Sequence, residues 1–125
     1  MSNRLIDYVY IFLTMGLTVY GQLIVKWRIA KFGAMPSEFH EKLKFLLSAS
    51  LDPYIFSMFV AAFLAAVAWM VAMTKFELSY AFPITSLNFV IVVVLSNYLL
   101  NEPVSLQKLV GLAFIVFGVT VASRA

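Results

Sequence analysis

The chain has 125 residues, of which 63% are hydrophobic and 12% charged, where soluble domains carry about 45–50% and about 25%. With a mean hydropathy of +0.96, too little polar sequence remains to cover the apolar part in water, so a soluble domain is excluded. Absence of cysteine excludes disulfides and thiolate metal sites, and the net charge of +3 is not a nucleic-acid signal, because the basic residues sit at the ends of apolar stretches.

Four such stretches follow in order, over 5–25, Pro53–Met73, 78–100 and 106–122. Each is close to the roughly 20 residues that a membrane-spanning helix needs. The prediction is an all-α integral membrane protein: one four-helix domain over 1–125 with short loops. The first stretch is too long for the apolar region of a signal peptide and has no small-residue cleavage site after it, so it is expected to be retained as a span. It carries a polar stripe of Asp7, Tyr10, Thr14, Thr18, Gln22 and Lys26. Steps of three and four residues keep that stripe on one slowly drifting helical face.

In the connection 27–52, Phe39, Leu43, Leu46 and Leu47 follow helical apolar spacing, with Ser37 after Pro36 as the expected cap. This predicts an interfacial helix over 37–48, or an early, tilted start of the second span near Leu43. The second span carries Ala61, Ala62, Ala65, Ala66 and Ala68, small residues that let helix backbones approach closely. In the third, Ser79, Pro83, Ser86 and Asn97 fall near one face, Thr85 and Asn88 on another, and Tyr80 between them. Pro103 is expected to break the chain before Ser105 caps the fourth span. Gly111 and Gly118, seven apart, share a face of that span. They predict a helix contact, either inside the chain or with a second copy.

Lysine and arginine set orientation. Lys26, Arg28, Lys31, Lys42, Lys44 and Lys108 fall on the side of the first and third connections, against Arg4, Lys75 and Arg124 on the other. The excess predicts a cytoplasmic first connection and termini outside.

Polar residues inside a membrane are costly and face protein or water. The stripes on spans one and three therefore predict a hydrophilic groove between them; the alternative is plain interhelical hydrogen bonding. Lys26 either snorkels to the interface or meets an anionic group, and Glu102 is a candidate partner on the same side. No carboxylate pair, metal cluster, nucleophile–base arrangement or phosphate-cradling loop is seen. Neither an enzyme nor a cofactor or metal is expected.

Three blocks carry a family likeness: Gly21-Gln22 with Lys26; Ser79-Tyr80-Ala81-Phe82-Pro83 with Ser86-Leu87-Asn88-Phe89-Val90; and Asn101-Glu102-Pro103-Val104-Ser105 with Gly111-Leu112-Ala113-Phe114-Ile115. Together they resemble the small four-helix members of the drug/metabolite transporter superfamily, which include the small multidrug resistance proteins. The resemblance extends in particular to the ArnE-type subunits of aminoarabinose–phosphoundecaprenol flippases. It covers spans one, three and four and is weak through 31–69.

Two positions depart from the multidrug pattern. Thr18 stands where those exporters have a membrane-embedded glutamate, and Pro83 where they have a tryptophan. The resemblance thus implies a dimeric translocator of a polyprenyl-phosphate-linked sugar in the bacterial inner membrane, partnered by itself or by a related four-helix subunit. On that reading Lys26 engages phosphate, and Gln22, Tyr80, Ser86 and Asn88 contact sugar hydroxyls or an amine. Thr14, Thr18 and Glu102 complete the candidate site, with Gly111 and Gly118 at the dimer contact. A small multidrug-type exporter and a non-transporting assembly partner of a glycosyltransferase are the other two readings.

Overall fold

The computed structural model describes the backbone of residues 2–124 and the side chains of residues 5–124. Described residues form helices and turns without a strand: α1 (Ser2–Ile29), a short 3-10 turn (Ala30–Phe32), α2 (Phe39–Ser50), α3 (Pro53–Met73), α4 (Leu78–Thr85), α5 (Asn88–Leu99) and α6 (Leu106–Ser123). Four stretches, Leu5–Phe32, Pro53–Met73, Leu78–Leu99 and Leu106–Ser123, are long and apolar enough to cross a membrane. α1 has 28 residues and so runs about 42 Å at 1.5 Å per residue, beyond the roughly 30 Å hydrocarbon core. The helix is therefore longer than the apolar layer requires, and Lys26 and Arg28 fall in its last turn.

α1 and α3 form the main helix pair. α1 buries Ile11, Met15 and Val19, a row at every fourth residue; α3 buries Ala61, Ala65, Ala68 and Ala72. Large side chains set against alanines allow close approach without a void. Gly21 marks the tightest point, since an added Cβ would lie 3.1 Å from Met58 Cγ. The pair is antiparallel: Thr14 reaches the Ala65 carbonyl at 3.3 Å, Tyr20 meets Ser57 at 2.7 Å, and Arg28 meets Asp52.

α3 begins where Asp52 accepts from the Tyr54 and Ile55 amides at 3.1 and 3.3 Å, with Pro53 in the first helical position. A carboxylate cap followed by proline is a strong helix start. The same carboxylate takes two bonds from Arg28 Nε at 3.1 and 3.0 Å. These bonds hold the Asp52 carboxyl below its ordinary range, against the opposing pull of burial. Arg28 also lies over the Tyr54 ring at 4.8 Å, and Trp27 meets that ring edge-on. Arg28, Asp52, Tyr54 and Trp27 thus clasp the end of α1 to the start of α3.

α2 starts one residue later than Ser37 would place it. Its first helical bond runs from Lys42 N to Glu38 O at 2.8 Å, and no side chain caps it. Ser37 is therefore not the cap. The helix does form, and it presents Phe39, Leu43, Leu46 and Leu47 as exposed apolar residues.

The third apolar stretch is helical throughout but changes pitch. Pro83 has no N–H to continue the α ladder. The following bonds, Ser86 N to Pro83 O and Leu87 N to Ile84 O, span three residues rather than four, and so do Phe89 N to Ser86 O and Val90 N to Leu87 O. The Thr85 hydroxyl donates to the Phe82 carbonyl, which this tightening leaves without its usual amide. α5 ends at a tight link in which Asn101 adopts a positive φ of 56°, a conformation asparagine tolerates. Glu102 N donates to Ser96 O at 3.2 Å and Asn97 Nδ2 to Glu102 O at 2.8 Å. Ser105 caps α6 as expected, accepting from Lys108 N at 3.2 Å.

α6 packs on α4 and α5 and buries no residue. Its Phe114 and Phe117 are 71% and 70% exposed. Such surface is costly in water but suited to hydrocarbon; the chain is a multi-pass membrane protein.

Candidate functional site

Between α1, α3 and the α4–α5 stretch lies a groove of about 1040 Å³. From α1 it takes Thr14, Thr18, Gly21 and Gln22; from α3, Met58, Ala65 and Trp69; from the third stretch, Thr85, Ser86 and Asn88. Its remaining lining is apolar and no charged side chain lines it. Exposed Ala62 and Ala66 on one rim and exposed Phe82 and Phe89 on the other leave it open to the surroundings. The α3 alanines make the space: larger side chains at 62, 65 and 66 would fill it.

The stripe on α1 reaches this groove as a set. Thr14, Thr18 and Gln22 line it because a straight α-helix preserves i, i+4 neighbours. The tightened turn in the third stretch brings Ser86, Thr85 and Asn88 to the same space, although uniform α geometry assigns Ser86 to a different face from the other two.

Three candidates lie elsewhere. Tyr80 is not in the lining; its hydroxyl bonds that of Tyr8, and its ring stacks on Phe76 at 5.8 Å. Lys26 and Glu102 form an ion pair at 3.9 Å, with side chains 65% and 41% exposed. Lys26 follows Gln22 by one helical turn, but neither member of the pair lines the groove. Pairs this exposed contribute little to stability, which leaves the lysine available to a stronger anionic partner. Gly111 and Gly118 lie on the exposed side of α6 with no atom within 4 Å of an added Cβ.

Beyond the groove, toward the start of α1, the pair is sealed. Ile11, Met15, Ala72, Phe76, Ala81 and Ile84 form a buried cluster, with Tyr8, Trp69 and Tyr80 packed against it. Sequence reading missed this plug, and it missed the Arg28–Asp52 clasp. The Asp52-Pro53 cap signal was present, but its cationic partner lies 24 residues away.

In hydrogen bonding, the groove is neutral and uneven. Thr14 donates to the Tyr10 carbonyl at 2.8 Å and Thr18 to the Thr14 carbonyl at 2.8 Å. Asn88 Oδ1 is buried without a hydrogen-bond partner. Among the described residues no group of three or more metal-ligating side chains occurs.

Comparison with known proteins places these features. The sequence profile described as the EamA-like transporter family matches residues 8–124. A Pseudomonas fluorescens protein named probable 4-amino-4-deoxy-L-arabinose-phosphoundecaprenol flippase subunit ArnE is 29% identical over 112 residues, covering 90% of this chain and 92% of the relative. The protein of that name from Escherichia coli is 41% identical over 58 residues, 46% of this chain and 52% of the relative. The one from Pseudomonas paraeruginosa is 32% identical over 73 residues, 58% and 64%. No solved structure matches at a significant level.

Proposed function

This chain belongs to the EamA-like transporter family, and from that premise we propose that it is a subunit of a flippase for a polyprenyl-phosphate-linked sugar of the aminoarabinose type. The observation that carries the reading is the groove itself. It is neutral, lined by Thr14, Thr18, Gln22, Thr85, Ser86 and Asn88 as its polar residues, and open at the side. A sugar head group finds hydrogen bonds there, while its prenyl tail stays in lipid. The named relatives, subunits of flippases for such a lipid, support the same substrate class.

Lys26, at the end of the α1 stripe, takes the lipid phosphate in exchange for its exposed pair with Glu102. The working unit is a dimer, with itself or with a related subunit, that packs on the Gly111 and Gly118 face of α6. The protein resides in the bacterial inner membrane with 27–52 cytoplasmic, so the lysine side receives the head group. The groove residues make the multidrug-exporter reading weaker, because no ionisable side chain lines the groove to exchange a proton for a cation.

The test uses the purified chain and a polyprenyl-phosphate sugar. Lys26→Arg keeps partial lipid binding, because charge is retained and its geometry changed. Lys26→Gln loses about tenfold in binding, the scale of one charge-assisted contact, with an unchanged melting temperature. Undiminished binding by Lys26→Gln would overturn the phosphate assignment.

A further inference from the structure

α2 connects two consecutive spans, so it begins and ends at one membrane surface. At 12 residues it is about 18 Å long, too short to cross the roughly 30 Å hydrocarbon layer. Its last bonds run on into the clasp, from Leu51 N to Leu47 O at 3.2 Å and from Asp52 N to Ala49 O at 3.0 Å, which fixes its roll. One face meets the protein: Ala49 is buried, and Phe45 meets Phe32 edge-on at 6.2 Å. The row of Phe39, Leu43, Leu46 and Leu47 points elsewhere, about 125° round the helix. It stays exposed, Phe39 by 74% and Leu47 by 67%. Charges are arranged about that row. Lys42 borders it on one side and Lys44 on the other, each roughly 100° from its centre. Glu41, the acidic residue within the helix, lies about 175° away. Among the described residues neither lysine forms an ion pair. A helix with this pattern lies in the plane of the interface, its apolar row at the acyl boundary and its ammonium groups at the level of the head groups. An acidic head group gives each ammonium a partner, whereas a zwitterionic one carries its own cation beside its phosphate.

We propose that α2 is a binding surface for anionic bilayer lipids, with Lys42 and Lys44 on acidic head groups and Phe39, Leu43, Leu46 and Leu47 in the acyl boundary beneath them. The proposal goes beyond the flippase reading and stands whichever lipid is moved. A basic residue close to an acidic surface favours association about fivefold. The lysine pair therefore sets the lipid class and the apolar row the depth. Because α2 continues directly into Asp52, its contact with the surface also fixes the height at which the α1–α3 clasp sits.

The chain has no cysteine, so a single introduced thiol takes a fluorophore without competition. The test places a bimane at Leu47→Cys, on the apolar row, or at Ser48→Cys, on the far side of the helix. The whole chain is reconstituted in nanodiscs of equal parts phosphatidylglycerol and phosphatidylcholine, with a nitroxide on the upper acyl chain of one lipid or the other. At Leu47→Cys the phosphatidylglycerol nitroxide should quench at least about threefold more strongly than the phosphatidylcholine nitroxide. At Ser48→Cys both should quench weakly. Adding Lys42→Gln and Lys44→Gln should make the two lipids equal at Leu47→Cys while both still quench. Equal quenching with the lysines present overturns the proposal, since the row then meets lipid without choosing it. A preference that survives loss of both lysines overturns it as well. So does the absence of quenching at Leu47→Cys, which would put a partner chain or water on the row, and so does equal quenching at the two positions.

Discussion

The two halves of the α1–α3 pair, each completed by residues that follow α3, solve opposite problems. Toward the start of α1, large residues fill the space: Ile11 and Met15 meet Phe76 and Ile84, and the Tyr8 and Tyr80 hydroxyls bond each other over the cluster. Toward its end, alanines on α3 and hydroxyl residues on α1 leave about 1040 Å³ unfilled. One half is a seal and the other a vestibule. α1 and α3 run uninterrupted through both; the sealed half is closed by Phe76, Ala81 and Ile84, which follow α3 in the chain. A translocator needs this asymmetry, since a path open along its whole length would leak.

The largest expected effect separates the halves by stability. Ile11 is fully buried, so Ile11→Ala should cost about 2–5 kcal/mol. Thr18→Val, in the vestibule, should cost less than about 1 kcal/mol, because it removes a hydroxyl without leaving a void. Unfolding of both variants in detergent measures this, and equal losses would erase the distinction. A smaller effect lies at the clasp. Bonds from Arg28 lower the Asp52 carboxyl below its ordinary range. The stabilisation is present above the unfolded value of about 3.9 and is lost as pH falls through the lower folded value. Asp52→Asn keeps an oxygen for the cap but not the charge. The melting-temperature gap between wild type and this variant should be steady near neutral pH and close below about pH 4. A gap that persists at pH 2 would assign it to something other than the ion pair.

The smallest effect concerns α6. Nothing lies within 4 Å of an added Cβ at Gly118. Gly118→Ala should therefore raise monomer stability by up to about 1 kcal/mol through helix propensity. Gly118→Leu should reduce crosslinked dimer if a second copy packs there. An undiminished dimer would move the interface to another face.

The elements were largely legible because membrane crossing imposes length and composition together. Pro53–Met73 matches the expected span at both ends. Thr14, Thr18 and Gln22 were legible as groove residues because they sit on one unbroken helix. Ser86 and Asn88 were legible as polar but not as neighbours, because the face assignment assumed one pitch through Pro83. Tyr80 reads as a groove residue by position, yet its ring finds a better partner in Phe76 on the sealed side. Its hydroxyl bond to Tyr8, 72 residues away, depends on where two helices cross, which neither periodicity nor composition encodes.

The tightened turn after Pro83 has a mechanical consequence. A 3-10 helix advances about 120° and 2.0 Å per residue, an α-helix about 100° and 1.5 Å. Each residue that converts between them rotates everything beyond it by about 20° and shifts it by about 0.5 Å. The bonds from Ser86 N to Pro83 O through Val90 N to Leu87 O lie at the point where α4 hands over to α5. Conversion of the two residues between the helices, Ser86 and Leu87, would turn the far end of the span by about 40°. Asn88 would rotate relative to α1 while Tyr80, on the near side of the turn, stayed still. The span is thus a screw with its thread change set beside the groove.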